Sequence, residues 1–147
     1  MAGKRKLLHS LTIDVRWGDL NARGRVNGAV YYSYCEQARA GWLANLGAID
    51  ALSTSTQGPR VVQFECSFLK PVGFPAKLQV DLYGATPGKS GFKSLYEIRD
   101  QESERLCFTA SAQIVWVDRE LESSVTIPEV IRRLLPAKPA TSSQDNE

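Results

Sequence analysis

The chain has 147 residues, 43% hydrophobic and 23% charged, with a net charge of +2, one histidine and three cysteines. A length in the range of roughly 100–200 residues per domain describes one globular unit, able to bury a core without disulfides or a structural metal. One histidine cannot supply a zinc cluster or an HExxH site, the charge is too small to argue for nucleic acid, and no apolar run approaches the roughly 20 residues of a membrane helix.

The amino end, Met1-Ala-Gly-Lys-Arg-Lys6, is basic, and only Leu7-Leu8 follow before His9. That is not the apolar region of a signal peptide, so residues 1–10 are expected to be a basic tail and the protein cytoplasmic. Cys35, Cys66 and Cys107 lie far apart without a CxxC pair, which fits reduced, buried thiols better than a disulfide framework. Leu11, Ile13, Val15 and Trp17 alternate with polar residues and predict a first strand over 11–17. Gly18 to Arg25 reads as a loop. From Asn27 or Gly28 to Gly47 the period becomes helical, with Tyr31, Tyr34, Cys35, Ala38, Trp42 and Leu46 on one face and Tyr32 and Leu43 widening it. This breadth predicts a helix covered over most of its circumference, with Asn27 as N-cap and Gly47 as stop.

Residues 52–59 are polar and breaker-rich, hence a loop. Alternation then predicts four further strands, carrying Val62-Phe64-Cys66-Phe68, Leu78-Val80-Leu82, Phe92-Ser94-Tyr96-Ile98 and Leu106 to Trp116, with 100–104 as a hairpin turn. Thr126 and Glu129 have capping-box spacing before a short apolar helix of Ile127, Val130, Ile131, Leu134 and Leu135. Residues 137–147 are expected to be disordered. The order strand, long helix, strands predicts an α+β domain over 11–136, in which an antiparallel sheet of about five strands wraps the helix.

Three segments carry candidate chemistry. Gly84-Ala-Thr-Pro-Gly88-Lys89-Ser90 is one residue short of a Walker A sequence, and Gly91 to Tyr96 alternates like a strand where a P-loop requires a helix. It is a hairpin turn with a solvated Lys89, or a phosphate cradle made of backbone N–H groups with Lys89, Ser90 and Lys93. Gly18 to Gly28 is either a loop with an asparagine cap or the approach to a helix amino end that stabilises an oxyanion. Glu36 and Arg39 are either a surface pair or, on an enclosed helix, a pair with a specific role for Glu36. Cys35 reads as core, since no histidine is placed to activate it.

The segment Val15-Arg-Trp-Gly-Asp-Leu-Asn-Ala-Arg-Gly-Arg-Val-Asn-Gly-Ala-Val-Tyr-Tyr-Ser-Tyr-Cys-Glu-Gln-Ala-Arg39 resembles the amino-terminal signature of hot-dog thioesterases of the 4-hydroxybenzoyl-CoA thioesterase type. The resemblance continues through Phe68-Leu-Lys-Pro71, Gly88-Lys-Ser-Gly-Phe92, Tyr96-Glu-Ile98, Val115-Trp-Val-Asp118 and Ile127-Pro-Glu129, covering about residues 11–135. It implies a long helix gripped by a curved antiparallel sheet, a homodimer or tetramer of dimers with sites at the subunit interface, and hydrolysis of acyl-CoA thioesters. It assigns the carbonyl-polarising N–H to Gly28, the shaping of that turn to Asn27, and coenzyme A contacts to Lys89, Ser90, Gly91 and Phe92. Coenzyme A enters as part of the substrate, and neither a separate cofactor nor a metal is expected. Tyr31, Tyr34, Trp42 and Phe64 are the expected lining of the acyl pocket.

The signature's catalytic aspartate is Asn21 here, its histidine is Arg25 and its second asparagine is Gly28. An amide orients a water but does not accept its proton at neutral pH. Three readings follow: a thioesterase whose acid is Asp19 or Glu36, slow hydrolysis through a water held by Asn21, or an acyl-CoA-binding sensor or assembly protein without turnover. A hot-dog dehydratase is disfavoured because the only histidine is His9.

Overall fold

The computed structural model describes residues 4–47 and 56–137. The expected disordered tail falls almost wholly outside them, as does the first half of the expected loop over 52–59. Strand β1 (Arg5–Asp14) leads through a short 3-10 turn (Trp17–Asp19) to the long helix α1 (Gly28–Asn45), followed by β2 (Gln57–Phe68), β3 (Lys77–Ala85), β4 (Gly91–Asp100), β5 (Leu106–Asp118), the two-residue β6 (Ser123–Ser124) and a one-turn helix α2 (Glu129–Arg132). The sheet is antiparallel in the order β1-β3-β4-β5-β2, with β6 on β5. It therefore has six strands where alternation predicted about five, because a two-residue strand is too short to show a period.

Asn27 caps α1 by accepting a hydrogen bond from the Ala29 N–H at 3.1 Å, and Gly47 ends it at a φ of +70° that side chains avoid. Tyr31, Tyr34, Cys35, Ala38, Trp42 and Leu43 are buried on one face, with Trp42 edge-on to Phe92 and Tyr31 stacked on Phe108 at 4.6 Å. The opposite face, Ser33, Glu36, Gln37, Ala40 and Ala44, is exposed. The helix is thus covered on one side of the protomer, not around most of its circumference. Its aromatic residues cluster toward the sheet, and the remaining face is built from small and charged side chains.

Two β-bulges correct the strand readings. Residues 5–10, expected in a tail, form the first half of β1, where the register shifts between Leu7 and His9 and destroys the alternation that would have marked them. The strand ends at Asp14, so Trp17 lies in the 3-10 turn, 75% exposed and edge-on to Phe74. His9 belongs to this strand, its ring lying against Gly41 of the helix. A second shift between Val61 and Gln63 turns Val62 outward and brings Val61 to the core. The strand also begins earlier than predicted, at Gln57, and takes in Gly58 and Pro59.

The capping box at Thr126 does not form. Ile127 is held extended by its N–H bond to the Lys89 carbonyl at 3.1 Å, and α2 starts after Pro128. Ile127, Ile131 and Leu135 are buried as expected, whereas Val130 is exposed. A side chain at Gly84 would collide with Leu135 and Leu8, so this glycine makes room for the carboxyl-terminal segment.

Candidate active site

The loop between Asp14 and the helix is closed at its base. Leu20 and Val26 form an isolated antiparallel bridge, the Asn27 N–H donates to the Asp19 carbonyl at 2.8 Å, and the Val26 N–H donates to Val72 at 2.8 Å. Asp19 lies beneath it, 3% exposed. One carboxylate oxygen accepts from the Tyr34 hydroxyl at 2.8 Å and the Arg16 N–H at 3.0 Å, and the other accepts from the Arg16 guanidinium at 3.0 Å. Burial pushes this carboxyl upward, but the hydrogen bonds from Arg16 and Tyr34 and the Arg16 charge outweigh it and hold the pKa below 3.8. Asp19 is therefore a buried, ionised anchor whose oxygens are committed to the loop, a geometry unlike that of a general base.

A group whose pKa is lower in the folded state stabilises the fold fully above its unfolded pKa and loses that contribution as pH falls through the folded value. Asp19→Asn is expected to cost about 2 kcal/mol at pH 7, the scale of hydrogen bonds to a charged group. The gap to the parent protein should narrow below about pH 4, where the reference carboxyl begins to protonate. Urea unfolding at pH 7 and pH 3 reads both; a gap independent of pH would show that the charge contributes nothing.

Asn21 starts the exposed turn at the loop's tip. Its Oδ1 accepts from the N–H groups of Arg23 at 2.9 Å and Arg25 at 3.2 Å, its N–H donates to the Arg25 carbonyl at 2.7 Å, and its carbonyl accepts from Gly24 at 3.0 Å. With Oδ1 spent on the loop, the amide's free end is Nδ2, a donor. Among the described residues no acceptor meets it.

At the helix start the Val30 N–H returns to the Asn27 carbonyl and the Ala29 N–H is taken by the Asn27 side chain. The Gly28 N–H, next to them, has no acceptor among the described residues. Gly28 also lines a cleft of about 390 Å³, with Tyr31, Phe68, Leu69 and Pro71 and with Val26, Arg25 and Lys70 completing it. The floor is aromatic: Tyr31 lies edge-on to Phe68 at 5.6 Å. Burial, followed by the nearby Cys107, pushes the Tyr31 hydroxyl up to about 12, so it is neutral at physiological pH. An unpaired N–H at a helix amino end, on a residue that lines an apolar cleft, suits an acyl carbonyl that becomes an oxyanion.

The other expected residues are distributed differently. Phe64 packs edge-on against Tyr32 at 4.8 Å and does not line the Gly28 cleft; nor do Tyr34 and Trp42, which are core. Burial, ahead of the opposing Arg39 charge, pushes the Cys35 thiol up to about 12, in keeping with a core cysteine. Cys107 is buried as well, whereas Cys66, expected to be buried, is exposed because it lies on the edge strand β2. Glu36 stands on the open helix face in a shallow depression with Ser33, Gln37 and Ala40, its carboxylate 4.0 Å from Arg39. Eight residues along an α-helix is about 12 Å. Glu36 is therefore remote from a carbonyl held at Gly28 of the same protomer.

The pair at Glu36 and Arg39 is not an ordinary surface pair, because Arg39 turns inward. Its side chain is 15% exposed and donates to the Tyr96 hydroxyl at 2.8 Å; that hydroxyl is 2.9 Å from Ser94 Oγ, which donates to the Ala112 carbonyl at 3.1 Å. Three-residue spacing with Glu36 hid this network from the sequence. The loop over 86–93 forms a third depression, about 300 Å³, to which Lys89, Ser90, Gly91 and Lys93 contribute. Phe92 reaches it too, though its ring is 3% exposed and packed on Trp42. Among the described residues no group of His, Cys, Asp and Glu could hold a metal ion, and no helix is long and apolar enough to cross a membrane.

Comparison with known proteins bears on this geometry. The sequence profile of the thioesterase-like superfamily matches residues 15–135. The PA2801 protein of Pseudomonas aeruginosa, itself a candidate thioesterase, is similar at 35% identity over 87% of this chain and 98% of its own, with a TM-score of 0.81. Slr0204, a 1,4-dihydroxy-2-naphthoyl-CoA thioesterase from Synechocystis, shares the fold at 20% identity, over 86% and 93% of the two chains, with a TM-score of 0.79. So does SAV2348 from Staphylococcus aureus, solved in complex with CoA, at 12% identity over 95% and 92%, with a TM-score of 0.78.

Proposed function

Since the chain belongs to the thioesterase-like superfamily, we propose that it hydrolyses an acyl-CoA thioester to the free acid and coenzyme A. The observation that carries this reading is the unpaired N–H of Gly28, a residue that lines the aromatic cleft. The acyl group enters over Tyr31 and Phe68, and its carbonyl oxygen accepts from Gly28, with Asn27 fixing the turn. As water adds to the carbonyl carbon, the charge growing on that oxygen is met by this N–H and the positive end of α1. Asn21, offering Nδ2, holds the attacking water by donating to it and leaves its proton to solvent. That makes hydrolysis slow rather than absent, and the likenesses lend no support to a binding role without turnover. The CoA-bearing matches in their names support a CoA ligand, which would lie along Lys89, Ser90, Gly91 and Lys93.

The Gly28 cleft and the 86–93 depression share no lining residue. We propose that they meet across two copies of the chain. Strand β2 is an edge of the sheet, and its Val62 and Phe68 are 54% and 60% exposed, so a second β2 would both complete hydrogen bonding and cover them. The test of function is a panel of short, long and aromatic acyl-CoAs, with free thiol followed over time. Thiol release from at least one member, abolished by boiling the protein, is expected; tight binding across the panel without any thiol would overturn hydrolysis.

A further inference from the structure

The 88–90 loop has every carbonyl turned into the protein. Arg132 of α2 donates through Nη2 to the carbonyls of Gly88 at 2.9 Å and Lys89 at 3.0 Å. The Ile127 N–H also donates to Lys89, and the Trp116 N–H donates to the Ser90 carbonyl at 2.7 Å. The Gly88 N–H is used internally, on the Gly91 carbonyl at 2.8 Å. At Gly91 a side chain would collide with the Ile114 carbonyl, so β4 begins flush against β5 and the loop cannot recede.

A peptide whose carbonyl points inward presents its N–H edge outward. The N–H groups of Lys89 and Ser90 have no acceptor among the described residues, and no carboxylate there pairs with Lys89, Lys93 or Arg132. The result is a concave positive surface of backbone and side-chain donors, the arrangement that binds phosphate oxygens. Without Arg132, two of the three carbonyls would lose their guanidinium donor, and the peptides could rotate a carbonyl toward the ligand.

We infer that Arg132 is a positioning residue for the phosphate-bearing end of the substrate: from α2 it holds the 88–90 carbonyls inward and so aims the Lys89 and Ser90 N–H groups at a nucleotide phosphate. The inference rests on the reading that this loop receives coenzyme A. The guanidinium acts through the loop, without touching the ligand.

The test compares binding of CoA and of pantetheine, which lacks the nucleotide and its phosphates, by calorimetry on the full chain. The parent protein should bind CoA more tightly than pantetheine. Arg132→Ala should weaken CoA about tenfold and leave pantetheine unchanged, and Arg132→Lys, which retains a cationic donor, should recover part of the loss. Lys89→Ala serves as the direct-contact control, and thermal midpoints check folding. Equal weakening of CoA and pantetheine by Arg132→Ala would reduce the residue to a structural prop and overturn the inference. Loss with Lys89→Ala but none with Arg132→Ala would overturn it while sparing the CoA reading. A parent protein that binds both ligands alike would overturn the phosphate cradle itself.

Discussion

Asn21→Asp raises thioester turnover by an order of magnitude or more. The loop already provides what a carboxylate needs at this position: two N–H groups, from Arg23 and Arg25, that hold one side-chain oxygen, and an open direction for the other. Asp is nearly isosteric with Asn, so the hydrogen bonds persist and the second oxygen takes the place of Nδ2. A donor to the attacking water then becomes an acceptor of its proton, a change worth about 10²–10⁴ in rate when geometry is right. The pH profile provides an independent readout. The variant should gain an acid limb, activity rising as its carboxyl ionises, that the parent protein lacks. Absence of any gain with every acyl-CoA in the panel would remove position 21 from the chemistry.

Gly28→Pro lowers kcat by about 10²–10³, the cost of deleting one oxyanion donor. Proline at the first helical position is tolerated, because that N–H has no partner within the helix and the ring's fixed φ suits the first turn. Asn27 precedes it with φ −65° and ψ 137°, the extended conformation that a following proline requires. A Cβ at Gly28 meets Phe68 at 3.5 Å, an ordinary contact. The substitution therefore replaces the donor hydrogen with the ring Cδ, which both removes the hydrogen bond and fills the place of the carbonyl oxygen, while taking little from the fold. Made in the Asn21→Asp background for signal, it should leave the thermal midpoint within a few degrees. Turnover retained near the starting level would sink the role of this N–H.

What the sequence disclosed tracks how local each cause is. Helix α1 was legible because both its ends are signalled by single residues, Asn27 with its cap and Gly47 with its positive φ. Strands β3, β4 and β5 were legible because their inward residues alternate without interruption. The first half of β1 and the facing of Val62 were not, since a bulge falls inside the one and at the other, and one extra residue puts the alternation on its two sides out of step. At the site, resemblance pointed to Gly28 and Asn21 but could not show how each is bonded. The commitment of Asp19 depends on Tyr34, fifteen residues away, and on burial that no short pattern encodes. Glu36 looked equivalent to Asp19 as a spare carboxylate, and only the helix's orientation separates them. Arg132 lies 43 residues from Lys89 and was invisible for the same reason.

The Leu20–Val26 bridge has an evolutionary meaning as well as a geometric one. By closing the loop at its base, it sets residues 21–25 apart as an exposed turn whose hydrogen bonds are made within itself. Arg23, Gly24 and Arg25 are solvent-exposed, and Asn21 uses only an oxygen that Asp also possesses. Exchanging amide for acid, or the reverse, is then close to neutral for folding. On the role proposed for Asn21, a single-residue step then separates fast from slow hydrolysis.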